Sequence, residues 1–295
     1  MTTTAPTDWG PLAEPVHADA AGPGDPVWKD NAYLSFWNPD GGVFGTLHVS
    51  TSPNGEGARR ARCSMSVAGR SVEVVEELPV GDFTSESIHF GLDGTVRVDH
   101  PEITLDLVNR PLFTPADFAA NGSIPALVED QPLQHYQQGT AVSGSVTVDG
   151  ARHAVDARGM RDRTWGFRDE SAQWVEYIGV VGVFEDRFLT VLKFLGADGS
   201  LAGDGFVVDE NGSVPLADLH VTRDAAALFV SARLDHRDGG TSTVRATGRS
   251  GGFWVPMGRE QEGQALGTYD DFLAFELDGV PGAGFVEQAT LHRVF

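Results

Sequence analysis

One cysteine in 295 residues rules out an intrachain disulfide. That residue, Cys63, sits in the alternating run Arg62-Cys63-Ser64-Met65-Ser66-Val67, the setting of a small buried side chain and not of an activated thiol. Bases are scarce too: 21 Lys and Arg stand against 42 Asp and Glu, a formal net charge of −21. Nucleic acid requires a basic footprint and an anionic membrane attracts cations, so neither is an expected partner. No run approaches the roughly 18 apolar residues of a spanning helix. The N-terminus lacks a basic region followed by an apolar stretch, so the expected location is the cytoplasm. The nine histidines never fall into His-x-His or His-Glu-x-x-His spacing, and no calcium loop is present. Phosphate-cradling glycine motifs and the Gly-x-Ser-x-Gly elbow are missing as well. No metal and no cofactor are expected.

What remains is abundant in turns and strands. Glycine accounts for 36 residues, favouring tight turns over long helices. From Tyr33 onward the hydrophobic period is two, as in Val43 to Val49 and Ile103 to Val108. Turn chemistry punctuates these runs at Asp40-Gly41, Asn54-Gly55, Asp93-Gly94 and Asn211-Gly212. The clearest hairpin joins Gly144–Val148 to Ala151–Val155 through Asp149-Gly150, a pair suited to a type I′ turn. Thr114 and Pro115 predict the start of one short helix, as N-cap and first position. The fold class is therefore all-β, built of antiparallel barrels or sandwiches. The length suits two domains. Residues 1–27 read as a flexible arm or wrapped coil, 28–160 as the first barrel and 161–295 as the second.

Charge concentrates in one segment, Gly159-Met160-Arg161-Asp162-Arg163-Thr164-Trp165-Gly166-Phe167-Arg168. Strand alternation turns Arg161 away from Asp162, so each needs a partner from elsewhere or a ligand. Together with His135-Tyr136-Gln137-Gln138-Gly139 and the hairpin, this segment resembles the tandem lipocalin-like (calycin) group that includes AttH-type proteins and carotenoid 1,2-hydratases. Decalin-forming Diels–Alderases share that architecture more distantly. The pattern is Gly-x-Arg-Asp-x-x-Trp-Gly-x-Arg, met by Gly159, Arg161, Asp162, Trp165, Gly166 and Arg168. This chain departs from the related pattern where Arg163 and Thr164 replace His and Ser, which puts any mechanism using a histidine there in doubt. The resemblance implies two packed lipocalin-like barrels, a cavity in or between them, and hydrophobic ligands such as isoprenoids, polyenes or polyketides.

Hydrating or cyclising an alkene needs a proton-transfer group in an apolar pocket and aromatic faces for developing cationic charge. Asp162 beside Trp165, with Trp174, Glu176 and Tyr177 on the following strand, are candidates for both. Arg161 and Arg168 are candidate substrate contacts. The alternative is an ion-pair clasp of Arg161, Asp162 and Arg168 between the barrels, with Trp165 as a packing plug. Trp37 and Trp254 stand at strand ends, where they line a cavity or fill a core. His48 and Tyr136 contact a ligand or satisfy an internal hydrogen bond. The expected function is a cofactor-independent hydration, dehydration or cyclisation of a hydrophobic small molecule. A non-catalytic carrier of such molecules and a carbohydrate-binding β-sandwich are the rivals.

Overall fold

The computed structural model describes residues 9–16, 21–38, 40–55, 57, 59–121, 131, 133–168, 174–256 and 265–292. The chain divides into two units, Met1–Pro115 with Val128–Arg168, and Ala116–Leu127 with Asp169–Phe295. Both are antiparallel β-barrels, the first nearly closed and the second fully closed. Among the described residues there is no α-helix, and no helix long and apolar enough to cross a membrane.

The first unit contains β1 (Trp28–Asn38), β2 (Val43–Thr51), β3 (Arg60–Val67), β4 (Arg70–Glu77), β5 (Ile88–Phe90), β6 (Thr95–His100) and β7 (Ile103–Pro111). After β8 (Ala116–Asp117), which falls in the second unit, β9 (Gln134–Val148) and β10 (Ala151–Phe167) return to it. Its path runs β4-β3-β2-β1-β10-β9-β7-β6-β5. Alternation sends Leu34, Leu47, Cys63, Val96 and Val146 into the lumen, where they form one apolar core. Burial, with the charge of Glu73 adding to it, pushes the Cys63 thiol up to about 12, so it stays protonated and inert. Between the edge strands β4 and β5, the Glu76 carboxylate accepts hydrogen bonds from the Ser85 hydroxyl and from the Ser87 amide and hydroxyl.

Asp149 and Gly150 both adopt positive φ (52° and 77°), as the predicted type I′ turn requires, and Val148 faces Ala151 across it. The long hairpin arms explain where the first unit ends. β10 pairs with β9 and β1 out to Trp165 and Phe167, so residues 161–168 complete the first barrel and the division falls after Arg168, later than the expected 160. The helix expected from Thr114-Pro115 does not form. Ala116–Asp117 is extended and only a 3-10 turn, Ala119–Asn121, follows, because Phe118 is drawn into an edge-on contact with Phe206 at 5.3 Å.

The second unit closes β11 (Trp174–Phe184), β12 (Arg187–Gly196), β13 (Leu201–Asp209), β14 (Gly212–Arg223), β15 (Phe229–His236), β16 (Thr241–Pro256), β17 (Ala265–Leu277) and β18 (Val280–His292) in sequence order, with β18 against β11. Such an up-and-down barrel leaves no free edge. Ile178, Val191, Leu219, Leu234, Phe275 and Val286 fill its lumen.

Candidate functional site

β10 presents two different chemistries on its two faces. Arg161 and Arg163 point into the first barrel and are fully buried. Both grip the N-terminal segment, which makes a 3-10 turn at Gly10–Ala13. Arg161 Nη2 donates to the carbonyls of Leu12 (3.0 Å) and Leu92 (2.6 Å). Arg163 Nη1 donates to Leu12 (3.1 Å) and Glu14 (2.9 Å), its Nε to Asn31 (3.1 Å), and its Nη2 to Asp30 Oδ1 at 2.5 Å. The other oxygen of Asp30 accepts the Val16 amide at 2.8 Å. The Trp9 ring lies 4.5 Å from the Arg161 guanidinium, and Leu12 is wholly buried. Burial, then the charge of Arg163, pulls the Arg161 pKa down to about 9, which leaves it a cation at neutral pH. Trp165 shares this face: Tyr136 stacks on it at 5.5 Å, and the Arg163 guanidinium lies 5.8 Å from its ring. These arginines are a clasp, but one that holds the chain's own N-terminal segment.

This corrects two expectations. Asp162 does not stand beside Trp165, because three residues along a strand reverse the side-chain direction. Nor does Asp162 pair with Arg161 or Arg168. Its partners are Gln137 Nε2, donating at 3.1 Å, and the Thr164 hydroxyl, donating at 3.0 Å. His135 Nδ1 lies 2.6 Å from the Thr164 hydroxyl and 3.4 Å from the second Asp162 oxygen. Since the Thr164 proton goes to Asp162, Nδ1–H of His135 is the donor to Thr164.

The outward face of the first sheet extends this cluster. Gln137, Asp162, Tyr33, His48 and Arg62 occupy one cross-strand row over β9, β10, β1, β2 and β3. The Tyr33 and His48 rings meet edge to face at 5.9 Å. Burial and the charges of Arg168, Lys29, Arg62 and Arg60 push the His48 pKa down to about 3, so its imidazole is neutral at physiological pH. Asp162 is 8% exposed, and His135, Gln137, Thr164 and Arg62 are also buried. Trp37, two positions from Ser35 and four from Tyr33, lies on the same outward face and is buried.

The remaining candidates are dispersed. Glu176 and Tyr177 belong to the second unit, on opposite faces of β11. Glu176 pairs with Arg223 Nη2 at 2.9 Å, and the Tyr177 hydroxyl donates to Glu287. The Trp174 side chain lies outside the described residues. Trp254 is exposed and tilts against Tyr269 at 5.4 Å. Among the described residues, no three His, Cys, Asp or Glu side chains are arranged to hold a metal ion.

Sequence reasoning passed over Tyr33, His135, Gln137 and Thr164 as site residues. The signal was present: counting outward from the Asp149-Gly150 turn sets Gln137 against Asp162 and His135 against Thr164.

Residues 13–292 match the family model described as "Domain of unknown function (DUF7064)". The chain belongs to this family. No curated protein matches this DUF7064 chain. Solved structures do, along nearly its whole length. An AttH-like protein from Nitrosomonas europaea is 16% identical, with a TM-score of 0.63 over 89% of this chain and 92% of that one. CghA in complex with Sch210972 is 13% identical, with a TM-score of 0.63 over 90% and 89%. Kievitone hydratase from Nectria haematococca is 14% identical, with a TM-score of 0.57 over 97% and 96%. At these identities the likeness concerns the fold, and it bears out the tandem lipocalin-like resemblance.

Proposed function

We propose that this DUF7064 protein is an acid–base enzyme that hydrates, dehydrates or cyclises a largely apolar small molecule of the isoprenoid, polyene or polyketide kind, without a bound cofactor. The observation that carries the reading is the row Gln137–Asp162–Tyr33–His48, with Gln137 and Asp162 buried and Tyr33 and His48 half-buried, and with buried His135 and Thr164 beside it. The first barrel already fills its lumen with apolar side chains, so its core has no use for a carboxylate, a phenol and two imidazoles on the outward face. Buried polar groups cost free energy even when paired, and a site that moves protons is one reason to retain them.

In this reading Asp162 is the proton-transfer group, fixed by the Gln137 and Thr164 donors. In a hydration its proton goes to one alkene carbon, the oxygen of water bonds to the other, and the proton released from that water returns to the carboxylate. Dehydration runs the same steps backwards. Neutral His48 and the Tyr33 phenol, on adjacent strands about 4.8 Å apart, bind the polar end of the substrate. Trp37 offers an aromatic face to cationic charge. The fold shared with a hydratase and with CghA holding Sch210972 supports this substrate class.

The test is incubation of the purified protein with a panel of polyenes, terpenoids and polyketides in deuterated water, followed by mass spectrometry. The expected result is gain or loss of one water, or deuterium uptake, that Asp162→Asn slows by about a hundredfold or more. Undiminished turnover in a folded Asp162→Asn protein would contradict the assignment.

A further inference from the structure

Asp162 is one end of a chain of three side chains. Pairing of β9 with β10 sets His135 opposite Thr164 and Gln137 opposite Asp162, so all four leave the sheet on one face. The side chains of His135 and Asp162 are each 11% exposed, and Thr164 is buried. His135 Nδ1 lies 2.6 Å from Thr164 Oγ1, which lies 3.0 Å from Asp162 Oδ1. The direct approach of the imidazole to the carboxylate is longer, 3.4 Å, and ends on Oδ2, which already accepts Gln137 Nε2 at 3.1 Å. Among the described residues, Thr164 Oγ1 bonds to His135 and Asp162 alone. Across the rest of this face stand Lys29 and Tyr33 on β1, His48 on β2, Arg60 and Arg62 on β3 and Glu73 and Glu77 on β4, with Arg168 just past β10.

A hydroxyl between an imidazole and a carboxylate can accept a proton on one side while it releases one on the other. Two groups coupled in this way titrate as a pair, with one proton distributed over both. We infer that His135 is a positioning residue that supplies Asp162 with its acid proton through the Thr164 hydroxyl. The imidazolium Nδ1–H passes its proton to Thr164 Oγ1 as the Thr164 hydroxyl proton passes to Asp162 Oδ1. An imidazolium and a carboxylate become a neutral imidazole, protonated on Nε2, and a carboxylic acid, with no change in total charge. The hydrogen bonds then run in the opposite sense, from Asp162 to Thr164 to His135. A shared proton gives Asp162 its acid form at a pH where a lone carboxylate holds little of it. The catalytic use of that proton rests on the proposed role of Asp162. The sharing itself does not, and it is measurable without a substrate.

A magnetic resonance titration of the full-length protein, with Asp carboxyl carbons labelled with carbon-13 and His rings with nitrogen-15, tests the inference. The Asp162 carboxyl signal is expected to move twice, once as the carboxyl titrates and again in step with the His135 ring. Thr164→Val keeps the branched shape, removes the hydroxyl, and is expected to abolish the second movement. Thr164→Ser, which keeps the hydroxyl, is expected to retain it. Melting curves establish that the variants are folded, and Thr164→Ala replaces a Val variant that does not fold. An Asp162 signal blind to His135 in the parent, or a folded variant without the hydroxyl that titrates as the parent does, would overturn the inference. Undiminished turnover in folded Asp162→Asn would remove the catalytic reading and leave the shared proton standing.

Discussion

At the scale of single residues, Arg163 and His48 behave in ways their sequence positions conceal. Arg163 replaces a histidine of the related pattern, and its geometry shows what the permanent cation gains: a buried ion pair with Asp30 and two carbonyls of the N-terminal segment. Arg163→Met removes the cation paired with the buried Asp30 carboxylate and is expected to cost about 3–5 kcal/mol in denaturant unfolding. Adding Asp30→Asn is expected to recover much of that loss, the non-additivity that marks a directly coupled pair. His48 predicts a pH dependence. Its folded pKa of about 3 lies far below the ordinary value of 6.5, so the unfolded chain takes up the proton first as pH falls. The stability linked to neutral His48 is complete above pH 6.5 and is lost progressively towards pH 3. Melting temperatures measured across that window are expected to fall less steeply for His48→Asn than for the parent.

Among elements, β10 and the N-terminal segment form one assembly. Alternation along β10 sends Arg161 and Arg163 to the lumen and Asp162 and Thr164 outward, so the clasp on residues 9–16 also fixes the strand that carries Asp162. Burying Trp9 and Leu12 is worth about 1.5–3 kcal/mol each. Deletion of residues 1–16 is therefore expected to destabilise the first unit by at least ~3 kcal/mol, read by hydrogen exchange at β10. Close approach of neighbouring strands sets a second constraint. Gly144 has φ of 147°, and a Cβ there would lie 2.0 Å from the Asp106 carbonyl oxygen, so Gly144→Ala is expected to lower the melting temperature sharply. Much of this layer was legible beforehand. The Asp149-Gly150 turn and the period-two runs specify β9 and β10 and, by counting, their register. The path of residues 9–16 was not legible, because nothing local in Trp9-Gly10-Pro11-Leu12-Ala13-Glu14 says that two arginines some 150 positions away will take its carbonyls.

For the whole molecule, two barrels follow from strands of alternating polarity joined by Gly- and Asp-bearing turns. Far-ultraviolet circular dichroism is expected to lack helical minima, and a helical spectrum would refute the fold. The candidate site was less legible than the fold. Asp162 and its neighbours were conspicuous as a charged run, but the outward row is assembled by pairing of β9, β10, β1 and β2, and no short turn announces the register of β1 against β10. Glu176 and Tyr177 were grouped with Asp162 by closeness in sequence, while the chain places them in the other barrel. Substitution of Asp162 bears most directly on the catalytic reading, because no arginine among the described residues pairs with that carboxylate. Asp162→Asn, assayed for melting temperature and for turnover on the first substrate found by the panel, separates chemistry from architecture. The prediction is a stability loss no greater than about 1.5–3 kcal/mol, the scale of hydrogen bonds to a charged group, with turnover reduced by about a hundredfold or more. A folded Asp162→Asn protein with undiminished turnover would contradict it.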